Sequence, residues 1–274
     1  MLEEEGLLQK LKRCPKCRTM RTLNKHVDFK GGYAMYCKKC KKFTNVTEGT
    51  FFETTKVDLE DFFVLLWLWS SHASVKVACN VTSFSKVLVV QYFRYFRDIC
   101  SWKLLTLEEQ SLGGEGHVVQ IDESVVAKRK YNRGKRVKTT WVLGLIDVQT
   151  RDSVVVYVEK RDRCTLIPEV KRYVKPGTTI WTDGWKAYIG LNKEGYIHRT
   201  VNHSKNFKDP RTGVCTNLIE GHWNKLKRYC RTKNVMNSKF FFEYVDEFMW
   251  SEKFGRDAYC KFNMILQIKE KYPC

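Results

Sequence analysis

The stretch VVQIDESVVAKRKYNRGKR, Val118 to Arg136, decides how the rest of the chain is read. Its first ten residues are dominated by β-branched apolar side chains and read as a strand. An acidic pair, Asp122–Glu123, stands in the middle of it, and a dense basic segment follows. A carboxylate in an apolar strand is costly unless it is paired or binds a metal. Successive strand residues face opposite sides, so Asp122 and Glu123 cannot share one site; Asp122 is taken as the ligand and Glu123 as facing away. Two later segments offer partners: TIWTDGWKAY, with Asp183 at a strand end, and TNLIEGHWNKLKR, with Glu220 on a helix. These three carboxylates are expected to meet in one metal site.

Working outward, TTWVLGLIDV (139–148) and SVVVYVEK (153–160) read as two further strands joined by short polar turns, an antiparallel meander. Asp147 and Asp152 are read as turn acids. TLIPEVKRYV reads as a helix, TTIWTD (178–183) as a short strand, and GWKAYIGLN as the start of another helix. An irregular stretch follows with His198 and His203, which read either as flanking the site or as ordinary polar residues between elements, the first slightly preferred, and then a helix from about Asn217 to Cys230. Three strands, a helix, a strand and a later helix, with acids on the first strand, the fourth strand and the last helix, is the order of a ribonuclease-H-like α/β fold. FFFEYVDEFMWSEKFGRDAYCKFNMILQIKE reads as helical and as packing on that domain. The main boundary is placed at Gly113-Gly114, which gives a catalytic domain over 113–274.

Carboxylates gathered in this way suit phosphodiester chemistry. Hard oxygen ligands hold Mg²⁺ or Mn²⁺, and two ions about 3.5–4 Å apart activate the attacking oxygen and neutralise charge at the phosphate. Lys227 follows Glu220 by seven residues, two helical turns, and so shares its face. It is assigned to the catalytic centre and to the nucleic-acid backbone. Asn217, three residues before Glu220, is placed on the same face. Lys128, Arg129, Lys130, Arg133, Lys135, Arg136 and Lys138 fall within eleven residues with no acid among them. Beside Asp122 they suit a phosphate backbone; the same run also reads as a nuclear-import signal or a solvated hairpin loop.

Charge and cysteines agree with this. The chain of 274 residues carries 49 Lys+Arg against 30 Asp+Glu, a net charge of +19, which points to a polyanion: nucleic acid first, an anionic membrane second. With 43% hydrophobic residues it folds into a core and is not a disordered tail. The longest apolar run, FFVLLWLWS, is too short to span a bilayer. The start, MLEEEGLLQKLKR, is an amphipathic helix pattern and not a secretory signal, so 11 cysteines point to metal ligation before disulfides. Cys14-x-x-Cys17 and Cys37-x-x-Cys40 form two knuckles around a hairpin that turns at Gly31-Gly32. That is a zinc-ribbon pattern holding one structural Zn²⁺, assigned to residues 1–55. Residues 56–112 read as helical: a buried helix after Asp58, a short helix, a turn near Asn80–Ser83, and a helix from Phe84 onward. This is the outline of a helix-turn-helix with Phe84 onward as the candidate recognition helix, although a plain helical bundle would look similar.

The motifs Q-I-D-E-S, W-T-D-G-W-K-A-Y, V-N-H-S-K-N-F and T-N-L-I-E-G-H-W-N-K-L-K-R, in this order, resemble the IS1595-type transposases with an ISXO2-like domain and their eukaryotic relatives, the Merlin superfamily. The resemblance implies a cut-and-paste transposase whose DDE triad is Asp122, Asp183 and Glu220, with Asn217 as the substitute should Glu220 prove dispensable. It implies double-stranded DNA partners, the terminal inverted repeats and the target, and a homodimer or larger assembly on them. Where members carry His-Thr-Asn before the last helix, this chain has Cys215-Thr216-Asn217. The Merlin-like pattern implies a nucleus, or the bacterial cytoplasm for a prokaryotic host, with no membrane. A domesticated, non-catalytic DNA-binding protein and a simple ribonuclease-H-type nuclease are the other readings.

Overall fold

In a computed structural model the chain is described over residues 13–53, 55, 57–106, 111–127, 140–201, 208–236, 238–255 and 263–271. The basic run from Lys128 to Lys138, the N-terminal twelve residues and His203 lie outside these. The chain forms two compact units, Met1–Lys103 together with Asp257–Cys274, and Leu104–Arg256.

The first unit holds a three-stranded antiparallel sheet, β1 (Thr22–Lys25), β2 (Tyr33–Cys37) and β3 (Lys42–Asn45), in that order. Lys25 pairs with Tyr33, and the connection turns through Gly31 and Gly32 at φ 79° and 70°, a region glycine occupies without strain. Then come α1 (Leu59–Ser70), α2 (Val75–Thr82) and α3 (Lys86–Thr106). Ser74 caps α2 by accepting the Val77 N–H, and Ser83 leaves it at φ 58°. Aromatic edges knit this region: Phe62 of α1 meets Phe52, Tyr92 and Phe96. The closing helix α7 (Asn263–Lys271) belongs to this unit, tied to α3 by Lys103–Glu270 and Lys271–Asp98 ion pairs.

The second unit is built on a five-stranded sheet of β4 (Val118–Ala127), β5 (Thr140–Asp147), β6 (Ser153–Val158), β7 (Thr179–Asp183) and β8 (Ile197–Val201). The spatial order is β6-β5-β4-β7-β8, with β4, β5 and β6 antiparallel and β7 and β8 parallel to β4. This is the ribonuclease-H-like arrangement. Alternation sorts the side chains to two faces. Val119, Ile121, Leu143, Leu145, Val154, Val158 and Ile180 form one core with Leu166, Ile167 and Val170 of α4 (Arg163–Tyr173). The other face carries α5 (Asn217–Thr232) and α6 (Phe241–Phe254): Trp223 of α5 lies against Gly144, and Phe242 of α6 against Tyr157.

Two expected elements differ. GWKAYIGLN forms two 3₁₀ turns, Lys186–Tyr188 and Leu191–Glu194, and no α-helix. Gly190 and Gly195, at φ 92° and 90°, interrupt the path. The stretch read as irregular contains β8, a parallel edge strand in which Val201 alone is buried. Its side chains IHRTV are largely polar, so the apolar alternation that marks a half-buried strand is missing.

Candidate active site

Asp122 and Asp183 come to the same face at the same end of the sheet. β4 pairs with β7 from Val118–Thr179 to Gln120–Trp181, and both aspartates stand two residues past that last rung. Asp122 therefore sits beside Asp183 where the strands have parted. The consequence is electrostatic: burial first, then the charges of Glu123 and Asp183, push the Asp122 carboxyl up to about 6. Two carboxylates held close together, one of them reluctant to ionise, are a donor pair whose repulsion a divalent cation would relieve. The residues present thus fit Mg²⁺ or Mn²⁺.

One oxygen of each acid is already held by a neighbour. The Trp223 indole N–H donates to Asp122 Oδ2 at 3.1 Å. The Trp185 backbone N–H donates to Asp183 Oδ1 at 2.9 Å. The Thr216 hydroxyl donates to Glu220 Oε1 at 3.0 Å. Glu220 lies in the first turn of α5, one turn before Trp223 and two before Lys227. Lys227 is half-buried; burial lowers its pKa, and the nearby Asp122 charge opposes that. Asn217, at the start of α5, lines a pocket of about 500 Å³ with Arg151, Gly221, His222, Lys225 and Glu252. His198 departs from the position flanking the site. It pairs with Ile180 and bonds the Thr182 hydroxyl at 2.9 Å, on the sheet face opposite Asp183.

Sequence reading missed the residues that assemble this centre. Gln120, two positions before Asp122, accepts the first-turn amides of α5, Leu218 at 3.0 Å and Ile219 at 3.1 Å, through its side-chain carbonyl. A strand residue thereby does the work of a helix cap. Gly144 pairs across from Asp122, and its bare Cα admits the Trp223 ring. The motif T-N-L-I-E-G-H-W held the signal for the tryptophan: an aromatic N–H three residues after the acid, on its face.

Behind Asp122, Glu123 is fully buried. Its Oε2 accepts the Arg161 Nε–H at 3.0 Å and an Nη2–H at 2.6 Å, and the Tyr188 hydroxyl donates to its Oε1. The Arg161 guanidinium lies over Trp141 at 4.4 Å and Trp185 at 4.7 Å. The buried acid Asp147, read as a turn residue, collects the Gly113, Gln149 and Thr150 amides and the His117 ring.

In the first unit the sulfurs of Cys14, Cys17, Cys37 and Cys40 all lie within 4.8 Å of one another. Cys14–Cys40 is 3.8 Å and Cys17–Cys37 3.4 Å. A zinc tetrahedron with arms of about 2.3 Å has edges of about 3.8 Å, so the cluster fits that ion. The Thr19 hydroxyl and amide hold Cys17 down to about 6, whereas hydrogen bonding to Cys17 drives Cys40 up to about 12. Among the described residues no helix is long and apolar enough to cross a membrane.

Residues 111–253 match the family of ISXO2-like transposase domains. An uncharacterized transposase-like protein of Haemophilus influenzae is 30% identical over 95 residues, 35% of this chain and 76% of that relative. Among solved structures, the HTLV-2 integrase catalytic core domain in complex with magnesium is similar at a TM-score of 0.34 and 14% identity, over 51% of this chain and 86% of that one. The BIV integrase catalytic core is similar at 0.35 and 8% identity, over 52% and 85%. The relative is bacterial, and nothing in these likenesses supports the nuclear placement or the Merlin assignment expected above.

Proposed function

The chain belongs to the ISXO2-like transposase domain family, and on that premise we propose that it binds transposon ends, cuts them by metal-dependent phosphodiester hydrolysis and joins the 3′-hydroxyl ends to target DNA. The observation that carries this reading is the placement of Asp122 and Asp183 side by side past the last β4–β7 rung.

Asp122 and Asp183 would hold the cation, and Glu220 would reach the same centre from α5. Bound there, Mg²⁺ or Mn²⁺ supplies charge neutralisation at the phosphate and lowers the cost of deprotonating the attacking water or hydroxyl. The chain's own groups orient the rest. Trp223 fixes the rotamer of Asp122, and the Lys227 ammonium offers a point charge to the phosphate. In the first unit the four cysteines would hold one Zn²⁺, and the ribbon with α2–α3 would grip the terminal repeats. Holding two ends at once calls for a dimer or larger assembly on double-stranded DNA.

The test is cleavage and strand transfer on a labelled terminal-repeat duplex with Mg²⁺ or Mn²⁺, intact protein against Asp183→Ala. The expected result is metal-dependent nicking and joining by the intact chain, both abolished in the variant while DNA binding persists. Binding without cutting under either metal would overturn the enzyme reading and leave a DNA-binding protein. Cutting without joining would leave a nuclease.

A further inference from the structure

We propose that Glu123, which faces away from the carboxylate site, is a positioning residue for Asp183, acting through Arg161 and Trp185. This rests on the reading above, that Asp183 holds a cation.

Glu123 and Asp122 are neighbours on one strand with opposite outlooks. A buried ion pair is weak evidence for stability, because apolar residues of similar volume often serve as well or better. The pair Glu123–Arg161 is nonetheless fixed on every side. The carboxylate is fully buried and receives a two-pronged guanidinium on one oxygen and the Tyr188 hydroxyl on the other. Trp141 and Trp185 both lie against the guanidinium.

The contacts then run directly to Asp183. The Trp185 indole N–H donates to the Arg161 carbonyl oxygen at 3.0 Å. The same residue's backbone N–H donates to Asp183 Oδ1 at 2.9 Å. Trp185 is thus held by Arg161 in two ways, ring over guanidinium and indole N–H to carbonyl, and it in turn occupies one oxygen of the acid. Trp185 remains 41% exposed, so packing alone does not hold it; the Arg161 contacts supply what burial does not. Partners that orient a ligand acid commonly change metal affinity by about 10–100-fold when lost.

The experiment is direct Mn²⁺ binding to the full-length chain, read by the loss of free-ion electron paramagnetic resonance, beside the Mn²⁺ dependence of end cleavage. Wild type, Glu123→Gln, Arg161→Lys, Trp185→Phe and Asp183→Asn are compared, each with its melting temperature. The expected result is that the first three variants bind Mn²⁺ about tenfold more weakly. Their cleavage at saturating Mn²⁺ should return to within about twofold of wild type, because the ligands themselves remain. Trp185→Phe keeps the backbone N–H and an aromatic face but removes the indole donor and part of the ring over Arg161, so it tests the link if Glu123→Gln does not fold. Mn²⁺ binding at wild-type strength by folded Trp185→Phe and Arg161→Lys, with Asp183→Asn impaired, would overturn the proposal and leave the site reading standing. Mn²⁺ binding by Asp183→Asn equal to wild type would overturn both.

Discussion

Gly144 sits directly across the β4–β5 ladder from Asp122, and the Trp223 ring that holds Asp122 occupies the space where a side chain at 144 would be. A Cβ there would come 2.5 Å from Trp223 Cζ2 and 3.0 Å from Ile219 Cδ1. The indole must move, and with it the hydrogen bond to Asp122. Gly144→Ala is expected to lower stability by about 1–3 kcal/mol, the cost of overpacking, and to depress metal-dependent cleavage beyond what the loss of folded protein explains. Urea unfolding beside cleavage rates normalised to folded protein checks this. Unchanged stability and unchanged cleavage would show that Trp223 is not locked in this position.

His222 supplies a pH prediction. Burial drives its pKa down from 6.5 to about 4, the Lys225 charge adds to that, and the Glu252 charge opposes it. The folded state binds the proton less readily than the unfolded chain, so the stabilisation is complete above pH 6.5 and is lost as pH falls from 6.5 toward 4. The full span is about 3 kcal/mol. His222→Phe keeps an aromatic ring beside Phe248 and Trp223 without the titration. Its unfolding midpoint should therefore fall less steeply than wild type between pH 6.5 and 4. Parallel pH profiles would rule out His222 as the source.

Metal removal separates the two centres. Chelation of zinc should release one ion per chain, expose four thiols to a thiol reagent and abolish terminal-repeat binding, as should Cys37→Ser. Far-ultraviolet circular dichroism should change little, since β1–β3 are short. A purified chain that carries no zinc and still binds DNA would defeat the ribbon assignment.

How far these features can be read from sequence depends on how local each one is. The apolar run around Asp122, the Asp183 strand end and the cysteine knuckles are local patterns, and the sheet and the sulfur cluster follow from them. β8 was missed because its outward side chains carry no alternation, and the 3₁₀ turns after Asp183 because a Trp-Lys-Ala-Tyr run has helical composition but an intervening glycine path. Gln120, Gly144 and Arg161 were invisible for another reason. Each matters through a partner brought near only by the finished fold, as Arg161 is to Glu123 across 38 positions.

The docking of α5 by Gln120 and Trp223 also sets an order of events during synthesis. Their contacts join residues 98 to 101 positions apart. While the chain is still on the ribosome, Asp122 and Asp183 emerge well before the helix that carries Trp223, Glu220 and Lys227. A nascent or truncated product ending before Asn217 would carry both aspartates without that helix. On the proposed function, the competence to cut would then arrive only with the last quarter of the polypeptide, after both aspartates have already been made.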